Sequence, residues 1–348
     1  MHRSVHRSAA FAPPAGRAGR VLQAAAVTLV GCAPNAQSVT APDGPAAERL
    51  LELSWILFAM GGAVFALVVA VLLYALFRRH RAPLPPAAAA DRRSTRWIVI
   101  GGVVFPGIVL SALFPYVLRV QRATQQPPVD AALAVEVLGY RWWWAVRYLS
   151  DDGQPAFETA NEIRIPVGQP VRVRLTSADV IHSFWVPRLQ GKMDMIPGRV
   201  NETWIQADAP GVYRGQCAEY CGLQHAKMAF LVVAEPPDAF AAWYARQLQP
   251  AAEPADPLAV RGRAVFLESP CAACHTIRGT RAAGRTGPDL THIGSRLTLA
   301  AATVPNTRGH LGGWIADPQS IKPGALMPAT PLAPADLRAL VLYLETLE

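Results

Sequence analysis

The sequence predicts a multidomain chain: a two-helix transmembrane hairpin, then an all-β sandwich, then a small all-α domain. Three observations carry this reading. Two uncharged runs, Ser54–Phe77 with 24 residues and Trp97–Leu118 with 22, each exceed the roughly 20 residues that cross a bilayer core. From Pro127 onward, apolar and polar residues alternate in short segments broken by turn residues. Beyond a Pro/Ala-rich stretch, Gln249–Pro257, apolar residues recur at the spacing of one helix face.

At the N-terminus Arg3, Arg7, Arg17 and Arg20 precede a short apolar run, Val21–Val30, and then "LVGC". This is the pattern of a bacterial lipoprotein signal peptide over residues 1–31, with Cys32 as the lipidated first residue after cleavage. An ordinary signal peptide or a disordered arm is the plainer alternative. Residues 32–53 then lead into the hairpin, residues 54–126, with spans at 54–77 and 97–118. Between the spans lie Arg78, Arg79, Arg81, Arg92, Arg93 and Arg96, opposed only by Asp91. Such a short basic loop faces the cytoplasm. Both later domains are therefore expected on the periplasmic side of a bacterial inner membrane, on a chain that crosses it twice. Gly101, Gly102, Pro106 and Pro115 in the second span point to packing against other helices in the membrane.

The net charge of +8 is unevenly placed: residues 1–129 carry +9, 130–235 carry −2, 236–260 carry −2 and 261–348 carry +3. The basic excess is on the membrane segment rather than on a folded face, which argues against nucleic-acid binding.

Residues 127–248 form the sandwich. "LAVEVLGYRWWWAVRY", "VRVRLTS", "ETWIQA" and "MAFLVVAE" read as strands, with turns at Asp151–Gly153 and Pro166–Pro170. "DAFAAWYARQL" reads as a short helix. Residues 249–257 are a linker, and 258–348 a helical domain with helices at Leu258–Glu268 and Pro334–Leu347. A linker of this length spans at most about 30 Å. As a flexible tether it gives about millimolar effective concentration, so that a weak contact between the domains suffices.

The chemistry rests on five cysteines. Cys271, Cys274 and His275 form "CAACH", the signature for covalent haem c: two thioethers and an adjacent histidine on the iron. The sixth ligand is open among Met327, in the loop "GALMPA", and His292 and His310; Met327 is favoured, and a methionine there raises the reduction potential. The two other histidines read as surface or supporting positions.

"GQCAEYCGLQHAKM" places Cys217, Cys221, His225 and Met228 on one loop. Outside the cytoplasm a disulfide is the default for such cysteines. The histidine and methionine that follow give instead the ligand order of a blue-copper site, which needs one earlier histidine; His182 is the one other histidine between residues 130 and 260. Zinc would not choose the thioether. One copper needs one cysteine, whereas two thiolates can bridge two coppers. Each copper then takes one histidine and one weaker ligand, Met228 for one and the Glu219 backbone carbonyl for the other.

With these residues the chain resembles subunit II of the haem–copper cytochrome c oxidases. That family's early histidine and C-x-E-x-C-x3-H-x2-M motif are matched by His182, Cys217, Glu219, Cys221, His225 and Met228. The fused haem domain resembles the caa-type oxidases. The resemblance implies a cupredoxin-like sandwich carrying the dinuclear copper centre CuA and a C-terminal cytochrome c domain. It also implies a magnesium ion on the Glu219 carboxylate at the contact with subunit I, and an aromatic patch, Tyr140–Trp144, in which Trp142 receives electrons. Alternation allows Trp142 and Trp144 on one face of a strand and Trp143 on the other, so at least one of them packs in the core. Many family members carry a glutamate at the start of the second span; residues 92–129 here contain no acid, so the associated proton uptake is in doubt.

The resemblance thus implies the electron-accepting subunit of a proton-pumping terminal oxidase, an oxidoreductase and translocase. Electrons pass from haem c to CuA and on to subunit I, where oxygen becomes water. Its partners are subunit I, other oxidase subunits, the membrane, and a soluble cytochrome c or a quinol–cytochrome c reductase complex as donor. The alternatives are the CuA subunit of a nitric oxide reductase, a membrane-tethered carrier without an enzyme, and a copper chaperone. Nitrous oxide reductase needs a histidine cluster that eight scattered histidines cannot supply.

Overall fold

The computed structural model describes residues 36–78, 87–127 and 131–348. The signal region, Cys32, Arg79 and Arg81 lie outside the described residues, and so does the side chain of Asp91.

Helix α1 (Pro45–Arg78) starts at Pro45 rather than at Ser54. Proline suits a first helical position, and Glu48 lies against the positive end of the helix dipole. The second apolar run is threaded by α2 (Ala87–Val99), a π-turn over Ile100–Val104, and α3 (Phe105–Gln125). The π-turn has a local cause: Pro106 offers no N–H to the preceding turn, and Gly101 and Gly102 yield easily. The stretches Pro45–Arg78 and Arg92–Gln125 are each long and apolar enough to cross a membrane, with mean hydropathies of 2.8 and 2.3 in windows that nothing covers. The far end of α3 is bolted to the sandwich, and that of α1 is tied to α3. The Thr124 carbonyl accepts from Trp204 Nε1 (2.9 Å) and Gln190 Nε2 (3.2 Å), and Arg49 Nη1 donates to the Ala123 carbonyl (2.9 Å).

The sandwich is built from β1 (Leu133–Tyr140), β2 (Trp143–Leu149), β3 (Pro155–Ala160), β4 (Glu162–Pro166), β5 (Val171–Ser177), β6 (His182–Trp185), β7 (Met193–Met195), β8 (Asn201–Ile205), β9 (Gly211–Cys217) and β10 (Ala229–Glu235). They form two five-stranded sheets, ordered β3-β2-β1-β5-β8 and β4-β10-β9-β6-β7. Inward residues of the first sheet, Val135, Val137, Trp144 and Tyr148, meet Phe184, Phe230 and Val232 of the second. Each sheet contains one parallel pair, β1 with β5 and β4 with β10.

The tryptophan run keeps the period-two division: Trp142 and Trp144 both pack on the core cluster, Trp142 partly buried. Trp142 sits in the β1–β2 turn, Trp143 stacks on Tyr140 with centroids 4.6 Å apart, and Trp144 is the one buried in the core against Phe230.

Helix α4 (Pro237–Gln247) packs Trp243 on Tyr148 and Phe157. The following linker is not a free tether. Ala251 N–H donates to the Arg278 carbonyl (2.9 Å), and the Gln249 carbonyl faces His292 Nε2 (3.1 Å). The helical domain contains α5 (Pro257–Glu268), α6 (Cys271–Cys274), α7 (Arg308–Ala316), α8 (Pro318–Ile321) and α9 (Pro334–Glu345). Asp256 caps α5 through Leu258 N–H at 2.7 Å. Helices α5 and α9 cross at Gly262, where a Cβ would lie 2.0 Å from the Ala339 carbonyl oxygen, so no larger residue fits. A small hairpin, β11 (Thr298–Leu299) with β12 (Val304–Pro305), was not foreseen. Its turn puts Ala300, Ala301 and Ala302 in the left-handed region, with φ of 54°, 60° and 54°. Residues 36–348, sandwich and helical domain included, form one compact unit.

Candidate functional site

His182 opens β6, and its ring is fully buried. It lies over Gly139 of β1, where a Cβ would come within 2.8 Å of the imidazole; the ring fits because residue 139 has no side chain. Nε2 faces the Asp179 carboxylate at 2.8 Å. Asp179 in turn accepts from the backbone N–H groups of Arg141 and Val180, both at 2.7 Å. A histidine held at one nitrogen by a carboxylate presents the other in a fixed direction, as metal-bound histidines do. Here that nitrogen, Nδ1, lies 3.9 Å from Cys217 Sγ.

Cys217 ends β9 beside Phe184 of β6. The loop that follows is closed by Cys217 N–H donating to the Met228 carbonyl (2.9 Å) and Ala218 N–H to the Ser183 carbonyl (3.0 Å). Gly222, with φ of 110°, makes the reversal under the Trp142 indole. The result is a cluster of soft donors. Cys217 Sγ and Cys221 Sγ are 3.7 Å apart. Cys221 Sγ lies 3.6 Å from His225 Nδ1 and 3.7 Å from Met228 Sδ. The Glu219 carbonyl oxygen lies 3.1 Å from Cys217 Sγ. Two donors at such a separation can both reach one metal at about 2.3 Å from each. Both cysteines are free, and the donor set of two thiols, two imidazoles, a thioether and a carbonyl fits copper.

Electrostatics agree with a cation here. Burial alone would lower the His182 pKa, but its bonds to Cys217 and Asp179 outweigh burial and raise it. The Cys221 thiol pulls Cys217 down against the effect of burial. The same closeness, with burial, pushes Cys221 up. The pair holds one negative charge readily and a second only with a cation between the sulfurs.

In the helical domain, Cys271 and Cys274 bracket the single turn of α6, the second exposed and the first partly so. His275 leaves the turn in extended conformation, and its Nδ1 bonds the Pro288 carbonyl at 2.8 Å, which leaves Nε2 free for iron. Burial lowers its pKa, keeping the ring neutral as a ligand must be. Gly287 lies flat against this imidazole and Gly284 against the Ala273 backbone; a Cβ would lie 2.6 Å and 2.4 Å from its neighbour. Two thiols facing out beside an oriented, half-free histidine fit a covalent haem. Met327 lies, partly buried, in the loop after α8, which the Gln319 side chain organises by accepting from Gly324 N–H (2.7 Å) and donating to the Ala325 carbonyl (2.8 Å). His310 is exposed and pairs with Thr307. His292 is buried, a supporting rather than a surface position: its ring nitrogens face the main-chain oxygens of Glu348 (2.7 Å) and Gln249 (3.1 Å), so neither is free for iron.

The sandwich and the helical domain meet along a polar seam. Glu162, buried at the start of β4, accepts from the backbone N–H groups of Leu297 (2.7 Å) and Thr298 (2.9 Å). Arg164 Nη2 donates to the Ser295 carbonyl at 3.3 Å. Lys322, 3% exposed, donates to the carbonyls of Trp142 (2.7 Å) and Ala300 (3.1 Å). Lys227 Nζ donates to the Ile321 carbonyl (2.6 Å), and Gln224 Nε2 to that of Pro323. Trp142 Nε1 donates to the Cys221 carbonyl at 3.0 Å, so the indole is tied to the donor loop. Asp179, Gly139 and Lys322 escaped the sequence reading. Asp179, three residues before His182, was the one that could have been suspected as a carboxylate partner.

Residues 149–235 match the family described as cytochrome c oxidase subunit II, periplasmic domain, and residues 259–348 match cytochrome c. Cytochrome c oxidase subunit 2 of Alkalihalophilus pseudofirmus is 34% identical over 92% of this chain and 94% of its own length. The protein of the same name from Bacillus subtilis is 29% identical over the same shares. The crystal structure of the periplasmic domain of subunit II of cytochrome oxidase from Bradyrhizobium japonicum, 36% identical, covers 34% of this chain and 95% of that one with a TM-score of 0.32. The first domain family implies copper and the second implies haem c. With a relative of that identity matched along nearly its whole length, the chain belongs to the cytochrome c oxidase subunit 2 family and carries a cytochrome c domain after its cupredoxin-like sandwich.

Proposed function

We propose that this chain accepts electrons for a terminal oxidase, taking them onto its helical domain and handing them through its sandwich domain to subunit I, where oxygen is reduced. One observation carries the reading. A chain with a haem-attachment turn also gathers His182, Cys217, Cys221, His225 and Met228 around two sulfurs 3.7 Å apart. His182, Cys217, Cys221, His225, Met228 and the Glu219 carbonyl would hold the copper pair; Cys271, Cys274, His275 and Met327 would hold the haem. A copper pair held there would spread a single charge change over two metals, and haem c would supply a second one-electron site. Trp142, bonded to the Cys221 carbonyl, would carry electrons into the copper loop.

The partners on this reading are subunit I, other oxidase subunits and an external donor, a soluble cytochrome c or a quinol–cytochrome c reductase complex. Both apolar helices would cross the bacterial inner membrane, with their far ends and the two soluble domains on the periplasmic side, and Cys32 would carry lipid. A magnesium ion at the subunit I contact would have to displace Lys192 from Glu219, whose carboxylate it meets at 3.7 Å.

Purifying the tagged chain from membranes tests the reading. The expected result is co-purified subunit I, reduction of oxygen rather than nitric oxide, and an EPR signal with hyperfine structure from two coppers. Nitric oxide turnover without oxygen turnover, or a chain without partners, would reject it.

A further inference from the structure

The segment Ile321–Gly324 precedes Met327 by a few residues and lies directly on the loop that carries Cys221, His225 and Met228. Three hydrogen bonds fasten it. Gln224 and Lys227, on either side of His225, donate to the carbonyls of Pro323 and Ile321. Lys322 runs the opposite way, from the helical domain to the Trp142 carbonyl at 2.7 Å. Leu223 fills the space beside Gly324, where a Cβ would lie 2.4 Å from its side chain. Lys322 is the one member of this clasp whose charge is almost wholly removed from water. Lysine is rarely buried without a partner, and its ammonium meets two carbonyls, one from each domain. Through Trp142, whose indole donates to the Cys221 carbonyl, it stands two hydrogen bonds from a copper-loop cysteine.

We infer that Lys322 is a positioning residue: it seats the Met327-bearing loop on the copper loop and so fixes the path for electrons between the two sites. The inference rests on the proposed electron-accepting function. It gives the domain contact a specific clasp in place of a loose encounter at the end of a tether.

Two measurements test it on the full chain in its oxidase complex. Hydrogen exchange reads the clasp without turnover. Lys322→Met should speed exchange in both residues 321–327 and residues 222–228, while the haem absorption spectrum and the copper EPR signal stay as in the wild type. Flash reduction of the haem, followed at the copper absorption band, reads the consequence. The transfer rate should fall about tenfold or more, which corresponds to about 1.4 kcal/mol in the barrier. Lys322→Arg, which keeps the charge and donors, should recover part of the rate. A Lys322→Met chain with wild-type exchange in both segments, or with unchanged transfer, overturns the proposal. Should that variant fail to accumulate, Lys322→Gln is read by the same criteria. If the wild type itself passes no electron from haem to copper, the functional reading fails, and with it the path, whereas slower exchange-protected seating by Lys322 is still decided by the first measurement.

Discussion

The chain uses two pairs of cysteines in opposite ways. Cys217 and Cys221 are four apart, sit on a loop closed by strand hydrogen bonds, and turn their sulfurs inward until they lie 3.7 Å from each other. Cys271 and Cys274 are three apart on one helical turn, and neither is buried. A metal shared by two sulfurs needs them converging in a pocket from which water is excluded. A macrocycle that is bonded from outside needs them side by side on an open edge. The histidines follow the same division. Each is oriented by a bond at one nitrogen, but His182 uses a carboxylate that favours positive charge, and His275 a neutral carbonyl in a buried setting that disfavours it.

The comparison can be broken most severely at the inward pair. Cys217→Ser should abolish the two-copper EPR signature, leaving one copper or none, while covalent haem is retained at wild-type level; retention of a two-copper signal would refute sulfur sharing. Replacing both Cys271 and Cys274 by Ala should have the mirror effect. Haem stain on a denaturing gel should vanish, and copper content per chain should persist. Haem that stays bound through denaturation would show that these thiols do not carry it. A gentler probe is Met327→Ala. Haem should remain attached but turn high-spin or water-ligated, with a lower reduction potential. An unchanged spectrum and potential would exclude Met327 as the sixth ligand.

The smallest expected effect is on the seam between the two sites. Burial lowers the Lys322 pKa to about 7, far below the usual lysine range. Below about pH 7 both folded and unfolded chains hold the proton, and the cost of burying the charge is present in full. Between about pH 7 and about 10.4 the unfolded chain binds a proton that the folded chain has released, so stability rises with pH. The slope is at most about 1.4 kcal/mol per pH unit. A neutral amine still has two N–H groups for the two carbonyls. Thermal midpoints of wild type and Lys322→Met, compared across this window, should diverge in favour of the wild type as pH rises. Parallel curves would mean that Lys322 is not titrating in the folded chain.

Much of the two sites was legible because each is written in a short spacing. Cys271 to His275, and Cys217 to Met228, keep most of the proposed ligands within a dozen residues, and His182 was the one other histidine between residues 130 and 260 to join the second cluster. The seam was illegible for the converse reason. Lys322 bonds Trp142 across 180 residues, and Glu162 meets Leu297 across 135. No local pattern marks such partners, and a Pro/Ala-rich linker reads as slack even where its carbonyls are taken. The fold was legible where periodicity was long, in the apolar runs and the strands. It was silent on ends and turns: α1 begins at Pro45, ahead of the uncharged run, and the hairpin of β11 and β12 carries no periodic signal.

The left-handed turn at Ala300–Ala302 bears on the order of assembly. Alanine in that conformation costs about 1 kcal/mol or more per residue. Strain of this kind persists only where surroundings impose it. The surroundings here are supplied largely from elsewhere in the chain: the Ala301 and Ala302 carbonyls accept from Ala229 N–H and Arg214 Nη1 of the sandwich, both at 3.3 Å, and the Ala300 carbonyl from Lys322. The contacts around this turn are thus completed only against a finished sandwich. During synthesis the sandwich emerges first, and the turn would set last, as a late stage of maturation that reports whether the copper-bearing half has already folded.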